Sequence, residues 1–570
     1  MRHLLRSWCS RLVGVAVAAA LILPAALGAQ SAMTTGLNYV GTIGAAGEID
    51  TYTFSATTGD SIILGIGEVG ADSAFVPWIR LLRPDAVVVG NQSGVLAAQI
   101  EYQATQTGTY TVQVASGDAG FNDTGTYTLT LAKTGAFTIS PGDQGGPMTN
   151  GSNHTGDIHV GDLDMWSFDA TAGDAILIGV GEVGLDTAFS PWIRLKSPTG
   201  QNLGSQAGAL ANQIEATATV SGTYTIVVAS ADAGLDGAGA YTLTLAKAPG
   251  TITISDGDEG GPAENGLNHT GTIHIGDLDA WTFQATAGDS IILGIGETGG
   301  NSAFSPWIRL KSPTGQNLGS QSGALANQIE ATATVSGTYT IVVSSGDAGL
   351  DAAGDYTLTL AKAPGAFAIS AGDQGGALTN GSNHTGEIHV GDLDVWSFQA
   401  TAGDNIILGI GEVGGDTVFS PWFRLKSPTG QNLGSQSGAL AQQIEATATV
   451  TGTYTVVVAS GDAGLDAFGN YTLTLATSPG AFTISGGDEG GPLTNGNNHT
   501  GVIHVGDLDM WSFQANAGDA VTVGIGETGP DSAFGPWIRL RSPTGQNLGS
   551  LSGVRAHTVA ELAAGLPKDD

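Results

Sequence analysis

The 570-residue chain has a single cysteine, Cys9, and it lies ahead of the first apolar stretch. No disulfide can staple the rest of the chain, so each folded unit must rest on its own apolar core, which a domain of roughly 100 residues can supply. Positive charge is scarce: 18 Lys and Arg face 52 Asp and Glu, a formal charge of −34. A field of that sign excludes nucleic acid and anionic lipid heads as partners and attracts divalent cations. Charged residues are only 12% of the chain and hydrophobic ones 41%, which excludes the apolar-poor composition of a disordered chain. Catalytic signatures are missing as well. Gly319-Ser320-Gln321-Ser322-Gly323 has Gln where a nucleophile elbow needs Ser, and no His-Glu-x-x-His occurs, so a non-enzymatic protein is expected.

There is one long apolar run, residues 12–27. Arg2, Arg6 and Arg11 precede it and Gly28 and Ala29 follow, the order of a secretory signal with cleavage near Ala29. Removing its three Arg leaves a charge of −37. The run is short for a membrane span and no second one follows, so release as a secreted, extracellular protein is expected.

Glycine is abundant, 89 residues, and the remainder is repetitive. Asn-His-Thr-Gly begins at Asn153, Asn268, Asn383 and Asn498, a spacing of 115, and Asn38-Tyr39-Val40-Gly41 holds the same place earlier. The divisions are a signal at 1–29, repeats at 30–133, 134–247, 248–362 and 363–477, and an incomplete fifth at 478–570 with a divergent tail. A unit of this size is a domain rather than a 20–50-residue solenoid repeat, so each is expected to fold alone, like beads on a string. Period-2 alternation broken by turn residues predicts strands in the third copy at 271–275, 280–285, 290–295, 307–311, 328–334, 337–344 and 354–361. The class is all-β, with two packed antiparallel sheets per unit. The links contain a strand-like piece, 366–370, then Gly372–Gly376, which could pair with the unit before or after. The fifth copy departs from the pattern after Ser550 and lacks at least two strands, so it is expected to fold poorly or to take strands from a partner.

Gly-Asp-Leu-Asp-Ala-Trp-Thr-Phe (276–283), Ala-Gly-Asp (287–289), Ile308-Arg309-Leu310 before Ser312-Pro313-Thr314-Gly315, Gly337-Thr338-Tyr339-Thr340 and Gly354-Asp355-Tyr356-Thr357-Leu358 together carry a resemblance. The chain resembles the bacterial pre-peptidase C-terminal domain, once per repeat. The resemblance implies tandem jelly-roll-like antiparallel β-sandwich modules of the kind appended to secreted hydrolases, credited with binding substrate or matrix, or with secretion and maturation. Some collagen-binding relatives carry calcium. No peptidase or glycosidase domain accompanies the modules here.

Gly-x-Gly-x-x-Gly follows a predicted strand in every copy (Gly294, Gly296 and Gly299 in the third), but another strand follows where a dinucleotide site needs a helix. The glycines are expected to make a bulged or tightly turning strand end. The paired histidines (154/159, 269/274, 384/389, 499/504) offer too few ligands for zinc and are expected on and beside a strand. The carboxylates Asp277, Asp279, Glu297, Asp347, Asp351 and Asp355 lie at turns and strand ends, where several could converge on calcium; the competing role for Asp is to cap turns. Calcium is the one cofactor the sequence suggests. Trp281 and Phe283 should face the core. Trp78, Trp192, Trp307, Trp422 and Trp537, beside Arg194, Arg309 and Arg424 in the later copies, should lie on the opposite face as a stacking platform, or as cation–π pairs. The functional expectation is a multivalent secreted binding or adhesion protein contacting extracellular polysaccharide or protein matrix, with a structural spacer, or a remnant of a larger secreted hydrolase, as the alternative.

Overall fold

The computed structural model describes residues 31–70, 75–184, 189–300, 303–414, 418–529, 534–553 and 556–560. The expected signal and the last ten residues lie outside them. Every described element is a strand, and no helix among the described residues is long and apolar enough to cross a membrane.

In the third repeat Asp279–Ala285 alternates so that Trp281, Phe283 and Ala285 turn to one side. Tyr339, Ile341 and Val343 of Gly337–Ser345 do the same. These strands belong to a five-stranded sheet ordered Gly260–Pro262, Asp279–Ala285, Gly337–Ser345, Pro306–Lys311, Asn317–Ser322. A four-stranded sheet, ordered Asn268–Ile273, Gly354–Ala363, Ser290–Glu297, Ala326–Thr332, faces it. Ile291, Leu293, Ile295, Tyr356, Leu358 and Leu360 of the second sheet meet the aromatic row of the first in one buried cluster. The first, second and fourth repeats have the same two sheets.

The other faces of these sheets are apolar too, and they decide the architecture. Ile292 and Ala361, on the outer side of the third repeat's four-stranded sheet, are buried against Leu393, Val395, Val457 and Ala459, on the outer side of the fourth repeat's five-stranded sheet. The same packing joins the first repeat to the second and the second to the third. At roughly 1.5–3 kcal/mol for each large side chain taken from water, such a seam is a substantial share of a unit's stability. Glycines permit it. A Cβ on Gly296 would lie 1.9 Å from the Val390 carbonyl oxygen, and one on Gly294 2.3 Å from that of Gly391.

The expectation of tandem jelly-roll-like antiparallel β-sandwich modules, strung like beads, is therefore corrected. The chain forms a continuous β-solenoid-like stack, in which the four-stranded sheet of one repeat is covered by the five-stranded sheet of the next. The pairing is not antiparallel throughout either: Gly260–Pro262 runs parallel to Asp279–Ala285, and the equivalent pair recurs in the second, fourth and fifth repeats. The glycine expectation divides: Gly294 and Gly296 lie inside Ser290–Glu297, whose register with Gly354–Ala363 is unbroken and without a bulge, whereas Gly299 lies in the bend just past the strand end.

The link is divided between neighbours. Asn265 of the third repeat donates from Nδ2 to the carbonyls of Lys362 and Ala366, so 366–370 lies against the preceding unit without pairing as a strand. Gly375–Ala377 pairs with Asp394–Ala400 of the following unit. In the fifth repeat the described strands form only two-stranded pairs. The fourth repeat's mid-sheet strands, Gly452–Ser460 and Gly469–Ser478, have no counterpart there among the described residues.

Candidate metal centres at the repeat seams

Three carboxylates converge at the start of each later repeat. They are Asp143, Asp162 and Asp164; Asp258, Asp277 and Asp279; Asp373, Asp392 and Asp394; and Asp488, Glu489 and Asp509, with one oxygen from each residue within 4.8 Å of the others. Local structure builds the group. The turn that precedes Asp279–Ala285 presents Asp277 and Asp279 on either side of Leu278, which is buried in the seam. Parallel pairing of Gly260–Pro262 with the same strand brings Asp258 alongside.

Each carboxylate in the third-repeat group uses one oxygen within the protein and leaves one over. Asp277 Oδ1 accepts the Leu278 amide at 2.8 Å and the Thr244 hydroxyl at 3.3 Å. Asp279 Oδ2 accepts the Tyr356 hydroxyl at 2.6 Å, and that hydroxyl accepts the Trp281 indole N–H at 2.9 Å. Asp258 Oδ2, Asp277 Oδ2 and Asp279 Oδ1 are buried with no hydrogen-bond partner. Asp279 is 0% exposed and Asp277 1%. Burial, and then the neighbouring Asp277 charge, pushes the Asp258 carboxyl up to about 7 and Asp279 well above the carboxylate range. The fourth repeat agrees: burial and Asp392 push Asp394 up to about 9. Bare buried oxygens pointing at one another require compensation by a proton or a cation. An all-oxygen carboxylate donor set suits a hard divalent ion such as calcium, with waters completing the shell.

These centres straddle the seams. Thr244 and Thr359, which reach Asp277 and Asp392, belong to the preceding repeats. Asn38 and Asn268 donate from Nδ2 to Asp143 at 3.1 Å and Asp373 at 3.2 Å across the same junctions.

Of the six carboxylates expected from sequence, the structure brings Asp277 and Asp279 into this centre, with Asp258 as the third member that sequence reasoning missed, while Asp347 and Asp351 meet each other in a separate loop. Glu297 is buried at the end of Ser290–Glu297. Asp347 caps its own loop, accepting the Ser345 hydroxyl and the amides of Gly349, Asp351 and Ala352. Asp351 sits in that loop, and Asp355 accepts the Thr272 hydroxyl at 2.6 Å. The histidines do not converge. His269 Nε2 accepts the Glu264 amide at 2.9 Å and its ring packs on Trp281, whereas His274 is exposed, with Nδ1 3.8 Å from Asp277 Oδ2.

The tryptophan–arginine row also lies at the seams. In Pro306–Lys311 the side chains of Trp307, Arg309 and Lys311 alternate away from the core, and the Arg309 guanidinium lies over the Trp307 ring at 3.3 Å. Arg309 is 1% exposed, and it reaches back with Lys311 to Glu215 of the preceding repeat, at 3.3 and 2.6 Å. Arg194 and Lys196 hold Glu101 at 3.0 and 2.6 Å, while Arg424 pairs with Glu330 and Arg539 with Glu445. Trp192, Trp307 and Trp537 donate their indole N–H to Ser205, Ser320 and Ser550. Trp422 packs against the seam cluster of the third and fourth repeats. In Trp78 the ring carries Arg80 at 4.4 Å.

No family model matches the chain. No curated protein matches it either. Among solved structures it is similar to the periplasmic inhibitor of g-type lysozyme from Aeromonas hydrophila, 16% identical, over 18% of this chain and 95% of that one, at a TM-score of 0.16. It is also similar to the pre-peptidase C-terminal domain of a collagenase from Bacillus anthracis, 17% identical, over 18% and 95%, at 0.15. Tandem CBM51 modules of a family 98 glycoside hydrolase from Streptococcus pneumoniae match at 10% identity, over 56% and 81%, at 0.13. Likenesses this remote carry no argument about what the chain binds.

Proposed function

We propose that this is a secreted, non-enzymatic binding protein whose repeats stack into a cation-stiffened column, a spacer that carries its contact surface for polysaccharide or protein matrix. The observation that carries the reading is the use made of the outward Trp-Arg-Lys row. Arg194, Arg309 and their lysines are buried under the preceding repeat's glutamates, so repetition builds length and leaves Trp192 and Trp307 half-buried at the seams. Secretion rests on the charge and apolar order of residues 1–29. Calcium is assigned to the four carboxylate groups at the seams, where it would neutralise buried oxygens drawn from the link and the following repeat. Extracellular modules bind calcium at about 10⁻⁴ to 10⁻³ M.

Thermal unfolding of the secreted chain in calcium and in chelator tests the metal assignment. Calcium at about ten times its dissociation constant stabilises the folded state by about 1.4 kcal/mol for each site that unfolds with it. A melting temperature identical in calcium and in chelator would remove the cation from this account.

A further inference from the structure

The polysaccharide contact proposed above has one face suited to it. In the later repeats the outward side of the five-stranded sheet is covered by the preceding repeat. In the first repeat, no described residue of the chain is stacked on that side. Trp78, Arg80 and Leu82 of Pro77–Leu82 are half-buried, where Arg309 and Lys311 are buried. The face has also changed chemically. Thr51 stands where the later repeats have Met165, Ala280 and Val395, and Gln113 where they have Val227, Val342 and Val457. Leu82 replaces the lysine that elsewhere helps to hold a glutamate. Covering this face with another sheet would strip the Thr51 hydroxyl and the Gln113 amide of water without partners.

The charge pattern is equally particular. In a chain of −34, none of the outward positions on Asp50–Ala56, Pro77–Leu82, Val88–Ser93 and Gly108–Ser116 holds a carboxylate, since Asp50 turns inward to accept the Tyr127 hydroxyl. Arg80 makes no ion pair among the described residues, and its Nε is buried without a hydrogen-bond partner. The adjacent seam shows what this row receives: a carboxylate, Glu101, on Arg194 Nε at 3.0 Å.

We propose that this face binds a carboxylate-bearing polysaccharide, a hexuronate polymer. The Arg80 guanidinium, held over the Trp78 ring at 4.4 Å, receives the carboxylate, and the sugar's hydroxyls lie among Thr51, Thr111 and Gln113. The planar guanidinium suits a carboxylate, and hydroxyl and amide side chains suit the hydroxyls of a pyranose. The site lies on the first repeat, whose outward residues alone are changed in this way among the described repeats.

The test is retention of the full secreted chain on immobilised polygalacturonate, its methyl ester, cellulose and collagen, for the wild type, Arg80→Gln and Trp78→Ala, with circular dichroism to verify folding. Retention on polygalacturonate should weaken at least tenfold in Arg80→Gln, fall with added salt and be lost on the ester. Arg80→Gln is the decisive variant should Trp78→Ala fail to fold. No retention of the wild type on polygalacturonate, or retention unchanged in Arg80→Gln, overturns the proposal. Retention on cellulose or collagen that Arg80→Gln does not alter would overturn it while leaving the matrix-binding reading intact. Absence of retention on all four would remove both. An Arg80-dependent dimer in sedimentation would give the face to a second copy and also overturn the proposal.

Discussion

Asp279 shows how much one side chain can be asked to do. One of its oxygens holds Tyr356, which holds Trp281, so it fixes the aromatic row of the core; the other lies bare beside Asp277 and Asp258. Asp279→Asn keeps an acceptor for Tyr356 and removes a carboxyl that, without a cation, must take up a proton to be buried. It is expected to raise the melting temperature in chelator by a few degrees at neutral pH, because folding no longer carries the cost of that protonation. It should also lessen the stabilisation by calcium, because one of the four similar groups loses a ligand. Differential scanning calorimetry with calcium and with chelator checks both. Asp277 and Asp279 were legible in the Gly-Asp-Leu-Asp turn. Asp258 was not, because it joins them only through a three-residue parallel pairing that has no alternation of its own. Asp347 takes the second of the two roles its sequence allows, capping its loop through four local hydrogen bonds.

At the scale of strands and seams, Gly296 and Glu215 separate packing from charge. Gly296→Ala places a methyl against the Val390 carbonyl, and the cost of overpacking is about 1–3 kcal/mol. The neighbouring Ile295 faces the repeat's own core, so the expected result is a loosened seam within a folded repeat. Faster proteolysis in the link at residues 363–377, with strand content kept by circular dichroism, would show it. Burial opposes the Glu215 charge, yet Lys311 and Arg309 hold its carboxyl below the ordinary range. A depressed carboxylate stabilises above its unfolded pKa, about 4.3, and that contribution is lost as pH falls through its folded value. Glu215→Gln should therefore cost about 1–2 kcal/mol at pH 7, discounted because the Glu215 side chain is 42% exposed. The difference from wild type should start to shrink as pH falls below about 4.3 and be gone only below the depressed folded value, as denaturant unfolding across pH would reveal. The sequence made most strands of the third repeat readable through alternation. Asn317–Ser322 was missed because Leu318 is its one large apolar residue.

For the whole molecule, the signal that the units are not beads was present in the third repeat but ambiguous. Ile291, Ile292 and Leu293 run without alternation, as strands do when both faces are covered: Ile291 and Leu293 enter the repeat's own core and Ile292 enters the seam. A short apolar run is equally at home in an isolated unit, so only the packed structure shows what covers the second face. The central claim is that the sheets stack without a break, and small-angle X-ray scattering of the secreted chain in calcium tests it most directly. Sheets about 10 Å apart, two in each of the four complete repeats, with the incomplete fifth stacked on the fourth, make a column about 100 Å long. The predicted result is a sharply bounded distance distribution ending near about 100 Å. A broad distribution reaching about 170 Å, the span of five separate domains each about 34 Å across, would contradict the stack.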